Sequence, residues 1–300
     1  MTTVEELYAN APVAAANARG KPLRKIRPRK GWIGVDVREM WRFRDLLWSL
    51  VIRDIKLRYK QTALGVSWVV LQPLVAAGIF SFVFGKLASM PVDKTTDGRP
   101  IPYFLFSFAS LVGWQLFANS VNKISGILVG NSAMVSKVYF PRLMLPISGT
   151  IGCAADALVA FAMLVVMQLW QGIGFGPQAF LIPFMALPFV AISLGIGMWS
   201  SALCVQYRDV GVILPVALQF LMYASPVAYT ANVVDKYPLI HYLYYLNPMA
   251  ALLGAWRWSV LSTPFPPMWA FCYAMIMSFL ALLAGTMVFR RMERTFADVI

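Results

Sequence analysis

Residues 42–85 read RFRDLLWSLVIRDIKLRYKQTALGVSWVVLQPLVAAGIFSFVFG, a basic segment that leads directly into an apolar one. The 25 residues from Gln61 to Gly85 contain no Asp, Glu, Lys or Arg. A helix of about 20 apolar residues crosses a hydrocarbon core of ~30 Å. A signal peptide has a shorter apolar core close to the N-terminus. The stretch therefore predicts a transmembrane helix at 61–85 and not a cleaved leader.

The composition of the whole chain agrees with a membrane location. Of the 300 residues, 59% are hydrophobic and 13% are charged, whereas soluble domains are roughly 25% charged. Recurring apolar runs predict an all-α integral membrane fold with six transmembrane helices per subunit. The expected spans, within a transmembrane domain at 61–289, are about 61–85, 103–122, 143–170, 180–203, 210–230 and 268–289.

A further apolar segment, at 235–267, decides the topology. Prolines and an Asn247-Pro248 pair interrupt it, so a straight span is disfavoured. Short loops rich in Lys and Arg stay in the cytoplasm, and six spans put 21 of the 26 such residues on one side. The five on the other side are Lys86, Lys94, Arg99, Lys236 and Arg257. We therefore expect cytoplasmic termini and two re-entrant helices within 235–267.

Most of the net charge of +13 lies in the first 60 residues, beside the membrane. Anionic lipid headgroups or an acidic protein partner explain this excess, and nucleic acid is not needed. Residues 1–37 predict a mobile basic cytoplasmic N-terminus, and residues 290–300 a cytoplasmic tail.

Residues 38–60 predict an amphipathic interfacial helix, because leucines gather on one side of it and basic residues on the other. The pattern has one exception. Asp54 and Arg58 project from the apolar side, with the i,i+4 spacing of an ion pair. The helix is either a membrane anchor with a self-paired couple or a docking element whose charges meet another protein.

The loop at 123–142 is too long for a minimal turn. Glycines and Asn131 punctuate it, and its apolar residues predict a short helix. Such a helix either lies on the bilayer or contacts a partner.

Polar side chains that share one face of a span are candidates for a translocation path, because polar groups facing lipid are costly. Aromatic rings with polar tips suit sugars, which offer both hydroxyl groups and apolar faces. Ordinary interhelical packing is the alternative for each residue. The candidates are Trp68, Gln72, Trp114, Asn119, Gln219, Tyr223 and Ser225.

The sequence contains few residues in arrangements that are typical of a catalytic site. Asp156 is the sole carboxylate within a long apolar run, without an identifiable partner, and it suits helix capping or interhelical hydrogen bonding. The three cysteines lack metal-ligand spacing. There is also no phosphate-binding G-x-x-x-x-G-K-[ST] loop. We expect no catalytic residue, metal or cofactor, and an ATPase on a separate chain.

Several short motifs, in order, resemble the membrane subunits (permeases) of ABC-2 type exporters. The resemblance is to the polysaccharide, O-antigen, capsule and teichoic acid branch and covers residues 40 to 300. The motifs are RDIKLRY at 53–59, LG at 64–65 with Trp68, LQPL at 71–74, FPR at 140–142, YRD at 207–209, SPV at 225–227, LNP at 246–248 and FADVI at 296–300.

The resemblance implies a homodimer with a channel between the subunits and two copies of a cytoplasmic ABC ATPase. It implies ATPase docking through the interfacial helix and the coupling loop at 123–142, and an outer gate in the re-entrant segment. The docking candidates are Arg53, Asp54, Lys56, Arg58, Tyr59, Lys60, Asn131 and Lys137. The gate candidates are Tyr242, Tyr245, Asn247 and Pro248, although interfacial aromatic belts also explain such tyrosines.

The function implied is ATP-driven export of a lipid-linked polysaccharide, of O-antigen or capsule type, across the bacterial inner membrane. The alternative is an ABC-2 exporter of a drug or lipid. A membrane enzyme is disfavoured because acid–base or metal-ligating residues are not clustered. A secondary transporter is disfavoured because no internal repeat or buried charge network is evident.

Overall fold

The computed structural model describes residues 37–60, 65, 67–230 and 238–293. These residues form helices and turns, and their only strand-like pairing is one bridge between Lys94 and Pro100. The predictions for the N-terminus at 1–37, apart from Val37, and for the tail beyond residue 293 lie outside the described residues. So do parts of the first predicted span and of the re-entrant segment.

Twelve α-helices are described, and we number them in chain order. They are α1 Val37–Arg42, α2 Arg44–Tyr59, α3 Ser67–Phe80, α4 Tyr103–Ser125, α5 Ile127–Gly130, α6 Ser132–Lys137, α7 Met144–Trp170, α8 Ile182–Gln206, α9 Val210–Ala224, α10 Pro238–Leu246, α11 Pro248–Leu261 and α12 Met268–Met292. A π-helix, Ser81–Leu87, extends α3, and a 3₁₀-helix, Pro177–Leu181, precedes α8.

Five helical segments among the described residues are long and apolar enough to cross a membrane. They are Ser67–Leu87, Tyr103–Ser125, Met144–Trp170, Pro177–Gln206 and Met268–Met292. Four of these segments match predicted spans to within about three residues. The fifth, Ser67–Leu87, overlaps the predicted span 61–85, whose first residues lie largely outside the described part of the chain. The remaining predicted span, 210–230, contains the apolar helix α9 of 15 residues. At 1.5 Å per residue α9 is about 22 Å long, which is shorter than a typical hydrocarbon core.

Helix α4 forms the centre of the bundle, with most of its side chains buried among α3, α7, α8 and α11. The closest helix pair is α8 with α12. A Cβ atom on Gly285 would lie 2.0 Å from the carbonyl oxygen of Gly195, so this contact requires glycine. Small residues let membrane helices approach closely where the hydrophobic effect does not drive association.

The segment after α9 folds into two short helices, as its prolines and Asn247 suggest. Asn247 caps α11, because its side-chain oxygen accepts a hydrogen bond from the Met249 backbone N–H at 3.0 Å. Pro248 occupies the first turn, where a missing N–H costs nothing. Helix α11 ends at Leu261 and is followed by Ser262, whose φ of 56° is left-handed. Most of α11 is buried against α4, α8 and α12.

The interfacial helix predicted at 38–60 consists of two helices, α1 and α2, which are separated at Phe43. Leu50, Val51 and Asp54 of α2 are buried, and α2 packs against α7. The loop at 123–142, for which one short helix was predicted, contains two short helices, α5 and α6, which meet at Asn131.

Candidate functional site

Helix α2 is joined to the transmembrane helix α7 by a charged contact. The Arg58 guanidinium forms an ion pair with the Asp156 carboxylate, and the Tyr59 hydroxyl donates a hydrogen bond to the other oxygen of that carboxylate. Burial raises the pKa of the Tyr59 phenol, and Arg58 acts in the opposite direction. The phenol therefore keeps its proton at neutral pH and remains a donor. This contact gives Asp156 the partner that the sequence left open.

A second contact joins α2 to α4 and to the following loop. Arg53 donates two hydrogen bonds to Asp54 Oδ1, at 3.1 and 2.8 Å, and one to Asn131 Oδ1 at 2.8 Å. The Lys123 ammonium lies 3.7 Å from Asp54 Oδ2. The Asn131 amide donates in turn to the Ile127 carbonyl oxygen at 2.8 Å.

These two contacts exclude a self-paired couple of Asp54 and Arg58, which was one of the two alternatives for this helix. The side chains have i,i+4 spacing, but Asp54 binds Arg53 and Lys123, whereas Arg58 binds Asp156. The physical reason is tertiary packing. Both side chains face the bundle, where opposite charges from α4 and α7 lie closer than the two residues lie to each other.

The predicted docking residues therefore divide into two groups. Asp54 is buried, and Arg53, Arg58, Tyr59 and Asn131 are partly buried. Lys56, Lys60 and Lys137 are exposed. Lys56 and Lys60 line an open groove on α2 with Arg53 and Leu57. Leu57, which the sequence assigned to the apolar face, is 63% exposed in this groove.

A pocket of about 250 Å³ lies between α3, α4 and α7. Three predicted path residues line it, namely Trp68 and Gln72 from α3 and Asn119 from α4. The charged residues Arg58, Lys123 and Asp156 line the same pocket. Its remaining polar lining comes from Gln115, Asn122 and Cys153. The polar face read from the sequence thus lies beside the contact between α2 and α7.

The other predicted path residues lie elsewhere. Trp114 is buried in the hydrophobic core, where its ring packs edge-on against Phe117 at 5.4 Å. It precedes Gln115 by one residue and so faces a different side of α4. Gln219 and Tyr223 are exposed on α9. Ser225 is buried just beyond α9, and its hydroxyl accepts a hydrogen bond from the Asn247 amide at 2.9 Å.

The predicted gate residues lie together near α10 and α11. Tyr245 is buried, and its ring lies 5.0 Å from that of His241 and 5.7 Å from that of Trp269. The Tyr242 ring also contacts Trp269, at 5.7 Å, but Tyr242 is exposed. Asn247 and Pro248 begin α11.

The sequence missed the burial of Arg257, which it counted among the outer charges. The Arg257 side chain is buried in α11 and donates to the Ser110 hydroxyl at 3.1 Å and to the Pro226 carbonyl oxygen at 2.6 Å. Its guanidinium also lies 4.6 Å from the centre of the Phe106 ring. A signal was present, since an arginine within an apolar helix is expensive and is a functional candidate by default.

The side chains that line the pocket are suited to binding a polar ligand. Within the described residues, no group of three or more His, Cys, Asp or Glu side chains has a metal-binding arrangement. The pocket instead offers carboxamides, one lysine and an indole ring. These groups form hydrogen bonds and stack on flat apolar surfaces.

The amino-acid sequence is similar to those of membrane permeases. The chain is 24% identical over 271 residues to an O-antigen export system permease protein RfbA of Klebsiella pneumoniae, covering 85% of this chain and 95% of the relative. A protein of the same name from Myxococcus xanthus is 24% identical over 264 residues, covering 88% and 98% respectively. The ABC-2 type transporter family matches residues 45–261, which include α3, α4, α7 and nearly all of α2. The chain therefore belongs to the ABC-2 type transporter family.

Proposed function

We propose that this protein is the membrane-spanning subunit of an ABC exporter that moves a lipid-linked polysaccharide of O-antigen type out of the cytoplasm. The observation that carries the proposal is the similarity, over most of the chain, to relatives named O-antigen export system permease. A pocket lined by amides and an indole is consistent with a sugar substrate. No observation favours export of a drug or of an unglycosylated lipid.

The proposed topology has six spans in the bacterial inner membrane, with both termini cytoplasmic. Helix α9, continued by the residues up to 230, is the fifth span. Helices α10 and α11 are the two re-entrant helices, entering and leaving on the outer side. The distribution of Lys and Arg supports this orientation.

The proposed assembly is a homodimer with the translocation path between the subunits. Exposed apolar side chains on α3 and α9, including Val75, Ile79, Val216 and Phe220, suit a contact with a second subunit or with lipid. The exposed Gln219 and Tyr223 on α9 would join Trp68, Gln72 and Asn119 in lining the path. Trp114 is buried in the core and would act on the path only by packing beneath it. Ser225 is buried as well and would act only through its hydrogen bond with Asn247.

The proposed motor is a separate ABC ATPase, with two copies per dimer. Lys56, Lys60 and Lys137 are the exposed cations that would meet it. Arg53, Asp54, Arg58, Tyr59 and Asn131 then act behind this surface, because their contacts connect α2 with α4, α7 and the coupling loop. Tyr242, Tyr245, Asn247 and Pro248 form the proposed outer gate.

A strain that lacks this gene tests the function. We expect loss of surface polysaccharide with accumulation of the lipid-linked polymer inside the cell, and both should be restored by the wild-type gene. Normal surface polysaccharide together with new drug sensitivity would instead identify a drug exporter.

Charge reversal tests the docking surface. The double variant K56E/K60E should insert into the membrane normally but lose most of the co-purifying ATPase, because its surface charge changes sign. K86E carries the same kind of change at the far end of the first span, and it should retain the ATPase. Equal ATPase recovery with both variants would contradict docking at α2.

Truncation tests the path. W68A and Y223A should slow polymer export severalfold while leaving protein abundance unchanged. W170A, which truncates the exposed Trp170 at the end of α7, is the matched control. Wild-type export rates in W68A and Y223A would remove both residues from the path.

A further inference from the structure

Helix α9 is too short to cross the membrane by itself. It begins directly after the charged residues Arg208 and Asp209 and is about 22 Å long, whereas a hydrocarbon core is ~30 Å thick. The chain then leaves the helical path, since Ser225 has an extended backbone. The turn segment that follows, residues 225–228, is buried. Non-helical backbone at this depth is tolerated where it is buried in protein that satisfies its polar groups.

Arg257 places a positive charge at this end of α9. One nitrogen of its guanidinium, Nη1, donates to the Pro226 carbonyl oxygen at 2.6 Å and to the Ser110 hydroxyl of α4 at 3.1 Å. Pro226 lies two residues beyond α9, beside the end of the helix at which partial negative charge concentrates. In transporters with discontinuous helices, such an end coordinates a bound cation. Arg257 supplies the cation from the same chain.

The surroundings of Arg257 keep its guanidinium in place. The side chain is 3% exposed, and the guanidinium lies over the Phe106 ring of α4. Asp93, from the loop between the first two spans, and Tyr244 of α10 interact with it electrostatically. Asp93, Tyr244 and Arg257 line one cavity. The charge is therefore offset by groups from several elements and not only by the turn segment.

Two neutral donors hold the same turn segment. The Asn247 amide, at the start of α11, donates to the Ser225 hydroxyl at 2.9 Å, and the Tyr103 hydroxyl of α4 donates to the Ala228 carbonyl oxygen. The backbone contributes a tight turn, in which the Val227 N–H donates to the Ser225 carbonyl oxygen at 2.7 Å. Side chains of α11 and α4, in place of a continuing helix, thus fix the outer end of α9.

We propose that Arg257 is a positioning residue for transport, which holds the outer end of α9 on α11 and α4. Gln219 and Tyr223 lie in the last two turns of α9, so their place on the path depends on this attachment. The role rests on the proposed function, in which α9 lines the path. Without Arg257 the turn segment loses its charged donor, and the last turns of α9 shift and tilt.

Three variants separate the attachment from general stability. R257M removes the charge and the donors while it largely fills the space of the arginine, so that no large cavity remains. R257K keeps a cation. A lysine ammonium has three donors, and both hydrogen bonds of Arg257 come from a single nitrogen, so lysine can replace them. S110A removes the α4 acceptor of that nitrogen but leaves the Pro226 contact, and it is the matched control.

Hydrogen exchange of the purified protein in lipid nanodiscs, measured by mass spectrometry, tests the attachment. In R257M the amides of residues 221–230 should exchange at least tenfold faster than in the wild type, because local opening becomes easier. In R257K and S110A they should stay within about threefold of the wild type, and exchange in α7 should be the same in all four proteins. Wild-type exchange of residues 221–230 in R257M overturns the proposal. Equal acceleration in every helix also overturns it, because it would show a general loss of stability.

The ratio of polymer exported to ATP hydrolysed tests the role in transport, in the complex with the ATPase. R257M should lower this ratio severalfold at unchanged ATP hydrolysis, and R257K should restore at least half of the loss. A residue needed only for stability would lower the amount of complex, so export and hydrolysis would fall together. An unchanged ratio in R257M would therefore overturn the positioning role.

The exchange measurement and the gene deletion fail separately. If the gene is required for surface polysaccharide but R257M matches the wild type in exchange and in export per ATP, the proposed function stands and the positioning role falls. If the gene proves dispensable while R257M still loosens residues 221–230, the attachment of α9 stands and the proposed function falls.

Discussion

Two charged clusters contact the central helix α4 at points about 20 Å apart along its axis. One joins α2 to the bundle, with Lys123 of α4 near the Arg53 and Asp54 pair. The other is the single arginine Arg257, which reaches Ser110 of α4. In the first cluster carboxylates lie within 4 Å of the cations. Arg257 donates instead to a hydroxyl and a carbonyl and lies over the Phe106 ring, and it also interacts electrostatically with Asp93 and Tyr244.

This difference between the α2 contacts and the Arg257 contacts indicates which helix attachment can rearrange more easily. In the α2 contacts the carboxylates are nearly buried but the cations are 29% to 40% exposed, so water still competes for the cations and reduces the stability that each pair contributes. Arg257 is buried, and the two hydrogen bonds from its Nη1 offset part of the cost of burying the charge. The attachment of α2 is thus suited to rearrangement, whereas α11 is fixed on α4.

Arg257→Ala tests the rigid cluster and should have the largest effect. It leaves a cavity and removes the Arg257 N–H groups that donate to the Ser110 hydroxyl and the Pro226 carbonyl oxygen. Together these losses should lower the free energy of unfolding by about 3 kcal/mol. Thermal unfolding of the purified protein measures the loss. R208A, at an exposed arginine, is the control and should change little. Equal melting temperatures for R257A and R208A would show that the Arg257 contacts do not fix α11 on α4.

Arg58→Ala tests the α2 attachment. It leaves the Asp156 carboxylate without its cation, which should cost about 2 kcal/mol, less than in a dry interior because Arg58 is 29% exposed. D156N should cost less than R58A, because it leaves no unpaired charge.

The exchanged pair R58D/D156R sharpens this result. It should recover at least half of the stability lost in R58A, because the two charges again face each other. K60A, at an exposed position on the same side of α2 as Lys56, should match the wild type. A swap no better than R58A would show that packing, and not charge, joins α2 to α7.

Tyr59→Phe should have a smaller effect, because it removes only the hydroxyl that donates to Asp156. We expect a loss of about 1 kcal/mol. The pKa of Tyr59 is raised in the folded protein, so its contribution is complete below the unfolded pKa near 10 and is lost as the pH rises through the folded value. The stability difference between Y59F and wild type should therefore stay constant from about pH 6 to pH 9.

The contact between Asp54 and Lys123 should give the smallest effect. A double-mutant cycle with D54N and K123Q should yield a coupling energy of about 0.5 kcal/mol, because the two groups are 3.7 Å apart and Lys123 is partly exposed. A coupling above about 2 kcal/mol would show a tight, desolvated pair.

The shared helix face of Trp68 and Gln72 could be read from the sequence. Trp68 and Gln72 share a helix face at i,i+4 spacing, and both line the pocket. Trp114 was grouped with Asn119, but it is Gln115 that lines the pocket with Asn119. Trp114 precedes Gln115 by one residue, and one residue along a helix turns the side chain by about 100°. The charged partners were not predictable, since Tyr59 and Asp156 are 97 residues apart in the sequence.

The sequence by itself determined the membrane class, the position of most spans and the candidate elements at 38–60, 123–142 and 235–267. These properties depend on hydrophobic length, proline positions and charge counts, all of which are local along the chain. Only the tertiary structure decided that Asp54 and Arg58 bind different partners, that Arg257 is buried, and that Lys123 meets four carboxamides in one pocket. Those contacts join residues from different helices, and helix packing, which local patterns do not encode, selects them.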